Sequence, residues 1–283
     1  MKNRLTKGFN KPMSDFYHKK INYKASEAEH KYGKQVHLIS DPYLMTQLAR
    51  LCSKDTYQPL ITELVQSIYR HLLRYIVNIE FPRCEKRIET RMIVHNPEGV
   101  FEGEIIDPDT RVVVVNLARA GAVPALETYQ QLNYLLNPQS VRQDHIYVQR
   151  STDERESVIG AHVSGYKIGG SIEGSIVYIP DPMGATGSTL ETAYELYKNK
   201  VQGKWKKIIS AHLVIAPEFL RKILKICPDI IIYAIRLDRG LSDPEILQTI
   251  PGTKWDQERG LNERQYIVPG AGGLGEILNN SFV

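Results

Sequence analysis

Apolar residues recur along this chain in two different rhythms. Leu60, Ile61, Leu64, Ile68, Leu72 and Ile76 fall on one stripe of a helix, which the spacing predicts over residues 58–78. Asp41-Pro42 marks an earlier helix, with aspartate as N-cap and proline in the first turn, running to about residue 51. Elsewhere the apolar residues come in short, nearly continuous β-branched runs. Arg111-Val-Val-Val-Val-Asn-Leu-Ala118 is one, and residues 144–149, 176–179, 207–215 and 229–235 are others. Such runs predict strands buried on both faces. Helical spacing returns between them, over residues 123–136, 190–198 and 217–226. Strand and helix alternate, so the expected class is α/β with a parallel sheet. Residues 88–95 and 100–106 flank Asn96-Pro-Glu-Gly99 and predict a hairpin at the sheet edge. Residues 156–174, glycine-rich with alternating polarity, predict a hairpin flap.

The candidate chemistry lies in the loops that follow the strands. After residues 176–179 comes Asp181-Pro-Met-Gly-Ala-Thr-Gly-Ser-Thr189, and then a helix. In a parallel sheet this loop stands at the carboxyl end of a strand, where ligands bind. Small residues leave its N–H groups free to face outward, and the helix N-terminus favours an anion. Thr186, Ser188 and Thr189 add hydroxyls, so the loop reads as a phosphate cradle with Asp181 at its mouth. No lysine follows Gly187, which excludes the Walker pattern of nucleotide triphosphatases. An ordinary strand-to-helix turn rarely carries so many donors. The strand at 111–118 ends in Arg119-Ala-Gly121, whose small residues admit a ligand to the backbone beside a fixed charge.

These stretches resemble the uracil phosphoribosyltransferases, over roughly residues 36–282. Residues 181–189 are similar to that family's phosphoribosyl-pyrophosphate loop, in which Asp-Pro-Met replaces the acidic pair of most type I phosphoribosyltransferases. Arg119-Ala-Gly121 matches its Leu-Arg-Ala-Gly turn, with Ala118 in place of the leucine. Arg150 matches the arginine of a Tyr-Arg-Asn-Glu-like segment, and Ala216-Pro-Glu218 a later strand end. Tyr266-Ile-Val-Pro-Gly-Ala-Gly-Gly-Leu-Gly-Glu276 resembles the family's uracil-binding segment. Within it Gly270-x-Gly272-x-x-Gly275 satisfies the dinucleotide pattern literally, but it sits eight residues from the C-terminus without the βαβ unit that gives the pattern meaning.

The resemblance implies a parallel-sheet phosphoribosyltransferase fold with a hood and a flap hairpin. It implies transfer of a phosphoribosyl group from 5-phosphoribosyl 1-diphosphate to uracil, with Mg²⁺ bound mainly through the donor. Asp181, Arg119 and Arg150 would be catalytic. Pro182, Met183, Gly184, Ala185, Thr186, Gly187, Ser188 and Thr189 would hold the donor. Tyr266, Ile267, Gly272, Gly273 and Leu274 would hold the base. Two departures stand out. The family's aspartate in the base segment, which also touches the donor, is Gly273 here, and its later aspartate is Glu276. Residues 243–257 form an insertion of about 15 to 20 residues, long enough to be functional or disordered. These departures keep two alternatives open, a non-catalytic nucleotide-binding regulator and a transferase for another base.

Charge and composition refine this picture. The chain has 283 residues and a net charge of +4. Residues 1–35 carry +6 and the remainder −2, so the body is no general polyanion binder. Residues 1–35 read as a basic extension, a solvated tail or a subunit arm, with residues 36–283 as the transferase domain. Basic residues there interleave with aromatics, but no nucleic-acid motif accompanies them. Cys52, Cys84 and Cys227 show neither metal spacing nor a disulfide pattern, as expected in a reduced cytoplasm. His71 and His95 have no neighbours at metal spacing. No apolar run approaches the ~20 residues of a membrane helix, and no secretory signal is expected. A homo-oligomer is expected from the resemblance.

Overall fold

The structure, a computed structural model, describes residues 19–152 and 158–281, with the side chains of 150–161 outside that description. Its centre is a sheet of β1 (Val36–Leu38), β4 (Val112–Ala118), β5 (Val141–Thr152), β6 (Val158–Lys167), β7 (Ile176–Pro180), β9 (Lys207–Ile215) and β10 (Ile230–Leu237). The order across it is β1-β10-β9-β7-β4-β5-β6, and short β8 (Met183–Gly184) pairs with β9. Every pairing is parallel except β5 with β6. The β-branched runs form these strands because both sheet faces are covered.

Successive side chains of a strand point to opposite faces, so each run feeds two cores. Val112, Val114, Tyr178, Ile209, Ala211 and Tyr233 pack under α1 (Pro42–Leu51), α2 (Leu60–Glu80) and α3 (Ala122–Leu135). Val113, Val115, Val177, Ile179, Ile208 and Ile232 pack under α4 (Ser188–Lys200) and α5 (Pro217–Ile226). The expected apolar stripe of α2 is the buried one, from Ile61 to Ile76. Asp41 caps α1, its Oδ1 accepting from Tyr43 N at 2.8 Å and Leu44 N at 3.1 Å.

The hairpin differs from expectation. It pairs β2 (Arg83–Glu89) with β3 (Val100–Ile106) as a separate two-stranded sheet, unpaired with the strands of the central one. Residues Arg91–Val94, expected in its first arm, form a 3₁₀ turn that Thr90 caps. The charged run Arg83-Cys-Glu-Lys-Arg-Ile-Glu89 has no buried face, so no apolar alternation marked it as a strand. The flap is longer than expected at its first arm, since β5 itself extends into it.

Residues 19–35, expected as a solvated tail or subunit arm, lie on the body of their own chain. Tyr32 is 4% exposed and donates its hydroxyl to Glu258. Lys31 N donates to Pro251 O at 2.8 Å, and Ala28 N to Leu38 O at 2.8 Å. Residues 1–18 lie outside the described residues. The insertion is ordered around the same carboxylate. It contains α6 (Pro244–Leu247) and a 3₁₀ turn, Trp255–Gln257. Glu258, fully buried, accepts from Arg239 Nη1 at 2.9 Å and Gly252 N at 2.8 Å.

Candidate active site

The phosphate loop leaves β7 at Pro180 and turns at once. Asp181 N donates to Ala211 O at 3.0 Å, which fixes the backbone from which the carboxylate extends. The next residues pair as β8 with Val214 and Ile215, so the loop is clamped onto β9. Two glycines permit this packing. A Cβ on Gly184 would come within 2.7 Å of Ile215 Cγ2, and one on Gly187 within 2.9 Å of Ile223 Cγ1. Gly187 also has φ +78°, a left-handed conformation that a side chain disfavours. Ser188 then opens α4, whose N-terminus faces the loop. Ser188 N donates to Thr186 Oγ1 and Thr186 Oγ1 to Ser188 Oγ, both at 3.3 Å. Pro182, Met183, Ala185 and Thr189 complete the segment, with all but Pro182 half-buried.

The Arg119 turn stands against this loop. It begins with a cis peptide between Ala118 and Arg119. A Cβ on Gly121 would lie 2.7 Å from Leu117 O and 3.2 Å from Pro180 O, so only glycine lets the two turns touch. The Arg119 guanidinium is exposed, and its Nη1 donates to Ser281 Oγ at 3.0 Å and Ser281 O at 3.2 Å. Arg150 is in β5, opposite Ala161, and its side chain lies outside the described part. The root of this flap is fixed by Asp144. Its buried carboxylate accepts from Arg142 Nε at 3.1 Å, Gly169 N at 2.9 Å and Tyr197 Oη at 2.7 Å.

The C-terminal strip crosses above the ends of β4, β9 and β10. Gly260 packs on Ala216 and Pro217, its N–H accepted by Glu218 Oε1 at 2.9 Å. Gly275 lies against Ala120, where a Cβ would stand 3.3 Å from that of Ala120. The structure therefore joins the strip of residues 266–276 to the Arg119 turn, and that turn to the loop of residues 181–189. Ile267 and Leu274 face the core under α1 and α2, so their side chains are turned away from any ligand at this strip. Tyr266 and Gly273 are half-buried and Gly272 is exposed. Gly270 and Gly272 have φ +59° and +69°. Gly273 instead has φ −78° and precedes a single helical turn, α7 (Leu274–Ile277).

Two residues that hold this strip had no motif to reveal them. Arg236 pairs with buried Asp238 through two contacts, 2.6 and 2.8 Å. Asp238 Oδ2 also accepts from Gly270 N at 2.7 Å, while Arg236 Nη2 donates to Gly270 O at 3.1 Å. Both polar groups of Gly270 are thereby fastened. The one available signal was an Arg-x-Asp spacing at a strand end, which puts both side chains on one side.

Burial sets the remaining ionisation near the site. Tyr69, under β9, donates to Ala211 O at 3.0 Å, and burial and the Asp181 charge push its hydroxyl pKa up. His212, the next residue on β9, is fully buried edge-on to Phe219, and burial pushes it down to about 3. It is therefore neutral at physiological pH. Among the described residues, no three His, Cys, Asp or Glu side chains converge as a metal-binding group.

A polar loop at the carboxyl end of a parallel strand, with a glycine strip packed on the neighbouring turns, is the arrangement of a type I phosphoribosyltransferase fold. The family profile for uracil phosphoribosyltransferase matches residues 38–254. The uracil phosphoribosyltransferase of Streptococcus mutans serotype c is 30% identical over 85% of this chain and 96% of its own. That of Mycoplasma genitalium is 27% identical with the same two shares, 85% and 96%. Among solved structures, the AQ2163 protein of Aquifex aeolicus superposes with a TM-score of 0.64 at 23% identity, over 86% of this chain and 97% of its own, and shows the fold. The chain belongs to the uracil phosphoribosyltransferase family. The family match ends before the strip at 266–276, the stretch that carries Gly273.

Proposed function

We propose that the protein makes UMP and diphosphate from uracil and 5-phosphoribosyl 1-diphosphate. The observation that carries this reading is the contact of Gly121 with Pro180, which sets Arg119 beside the phosphate loop of a family member. The loop of residues 184–189 receives the 5′-phosphate on its N–H groups and hydroxyls. Arg119, with Arg150 from the flap, receives the diphosphate, and Arg119 exchanges Ser281 for it. Asp181 binds the ribose hydroxyls and favours the positive charge that develops as the bond from C1′ to diphosphate oxygen breaks. The base nitrogen forms the new bond to C1′ and releases its proton. The flap excludes water from the sugar cation. Asp181 would be the carboxylate that holds a Mg²⁺ ion brought in with the donor, and that ion would supply positive charge to offset the diphosphate.

A flat base is read by the main chain of residues 272–274, whose glycines allow close approach. Gly273 favours the regulator reading only if no carboxylate stands at that place, and Glu276 supplies one. We assign the protein to the cytoplasm and expect a homo-oligomer, with small molecules as its partners. No helix among the described residues is long and apolar enough to cross a membrane. The test is UMP formation from uracil and donor, with cytosine and hypoxanthine assayed in parallel. A protein that binds donor yet converts none of the three bases would instead be the regulator.

A further inference from the structure

Lys222, on α5, reaches the first turn of α4. Its Nζ donates to Ser188 Oγ at 2.9 Å and pairs with Glu191 Oε2 at 2.6 Å. Ser188 Oγ also accepts from Thr186 Oγ1 at 3.3 Å, and Thr186 Oγ1 accepts from Ser188 N. A hydroxyl has one proton and two lone pairs. Lys222 and Thr186 occupy both lone pairs of Ser188, so its own proton is left to donate elsewhere. Glu191 complicates the same turn. It places a negative charge in the first turn of the helix whose N-terminus receives an anion. It also stands three residues after Ser188, within reach of that hydroxyl.

We propose that Lys222 is a positioning residue for the donor's 5′-phosphate. It holds Ser188 as a hydrogen-bond donor toward the loop, and its charge offsets Glu191 at the mouth of the phosphate site. This rests on the assignment of residues 184–189 to that phosphate. Without Lys222, the Ser188 proton turns to Glu191 and the bare carboxylate repels the incoming dianion.

Calorimetry on the full chain tests this, with ribose 5-phosphate and with 5-phosphoribosyl 1-diphosphate as the two probes. Lys222→Met should weaken both by the same factor, about tenfold, as for loss of a charge-assisted hydrogen bond. Lys222→Arg should recover part of the loss, because charge is kept while geometry changes. Glu191→Gln should tighten both ligands, by about threefold for a half-exposed charge. That gain is one that a structural salt bridge would not produce, and it remains decisive if Lys222→Met fails to fold. The KM for uracil should not move. A weakening confined to the diphosphate ligand, or a Glu191→Gln variant as weak as Lys222→Met, overturns the proposal alone. A parent protein that binds neither probe overturns the loop assignment and the proposal with it.

Discussion

Glu276 folds back over Gly273: a Cβ built on Gly273 would collide with Glu276 Oε2 and lie 2.8 Å from its Cδ. The carboxylate thus occupies the volume of the side chain that Gly273 lacks. With φ −78° the backbone at 273 is not left-handed, and the atoms that a Cβ there would meet belong to the flexible end of Glu276. Glu276→Ala should raise the donor KM by about tenfold, as for one charged hydrogen bond, and uracil KM less. Gly273→Asp on that background should restore it. An Ala variant with unchanged donor KM would remove Glu276 from the site.

Asp181→Asn retains shape and removes charge. Turnover should fall by about a hundredfold, the scale of one electrostatic group in a transition state, with donor affinity less affected. Steady-state rates and donor calorimetry read the two quantities separately. Equal turnover in mutant and parent would take Asp181 out of the mechanism.

Arg119 donates two hydrogen bonds to Ser281, so on the proposed function Ser281 would compete with diphosphate for this guanidinium. Ser281→Ala frees one of them. Donor KM should fall by about twofold to fivefold, as for an exposed hydrogen bond released before binding. A raised donor KM would mean that Ser281 orients Arg119 for the diphosphate.

What could be read beforehand, and what could not, follows from burial. β4, β7, β9 and β10 are covered on both faces, so Val112–Ala118 and its neighbours declare themselves by unbroken apolar runs. The loop of residues 181–189 is legible because its small residues and hydroxyls follow such a run directly. β2 is exposed and charged, so nothing in Arg83–Glu89 distinguishes a strand from a loop. Tyr32 was hidden because a single buried aromatic in a polar segment has no period, and its partner Glu258 is 226 residues away. Glu276 was visible as a residue, but its turn toward Gly273 depends on the φ values of three neighbouring glycines. Lys222 lay outside every motif, since its role arises only where α5 crosses α4.

The packing of Tyr32 changes the expected effect of shortening the chain. A protein starting at Lys19 keeps the Tyr32 contact with Glu258, while one starting at residue 36 loses it. Burial and the Glu258 carboxylate both push the Tyr32 hydroxyl pKa up, so it remains a neutral donor at any working pH. Tyr32→Phe alone should cost about 1–3 kcal/mol, the penalty of an unsatisfied buried acceptor. Urea denaturation of the three proteins measures this. Coincident midpoints would return residues 19–35 to the role of a passive tail.

The last expectation concerns the Arg236–Asp238 pair beneath the base strip. Asp238 is 3% exposed and has two tasks, to neutralise Arg236 and to accept from Gly270 N. Asp238→Asn leaves a half-buried guanidinium without its carboxylate, and such removal of one partner costs about 3 kcal/mol. The amide oxygen accepts at most two hydrogen bonds, so it cannot satisfy both Arg236 nitrogens and Gly270 N at once. Gly270 should then loosen, and with it the main chain of residues 272–274 that meets the base. KM for uracil should rise by about tenfold or more while donor affinity changes little, since the phosphate loop is held by β9 and α5 instead. Combining steady-state KM values with a denaturation curve separates two roles. A loss of stability with unchanged uracil KM would make the pair a core support only, and a matched rise in both KM values would mean that the strip and the donor loop move as one unit.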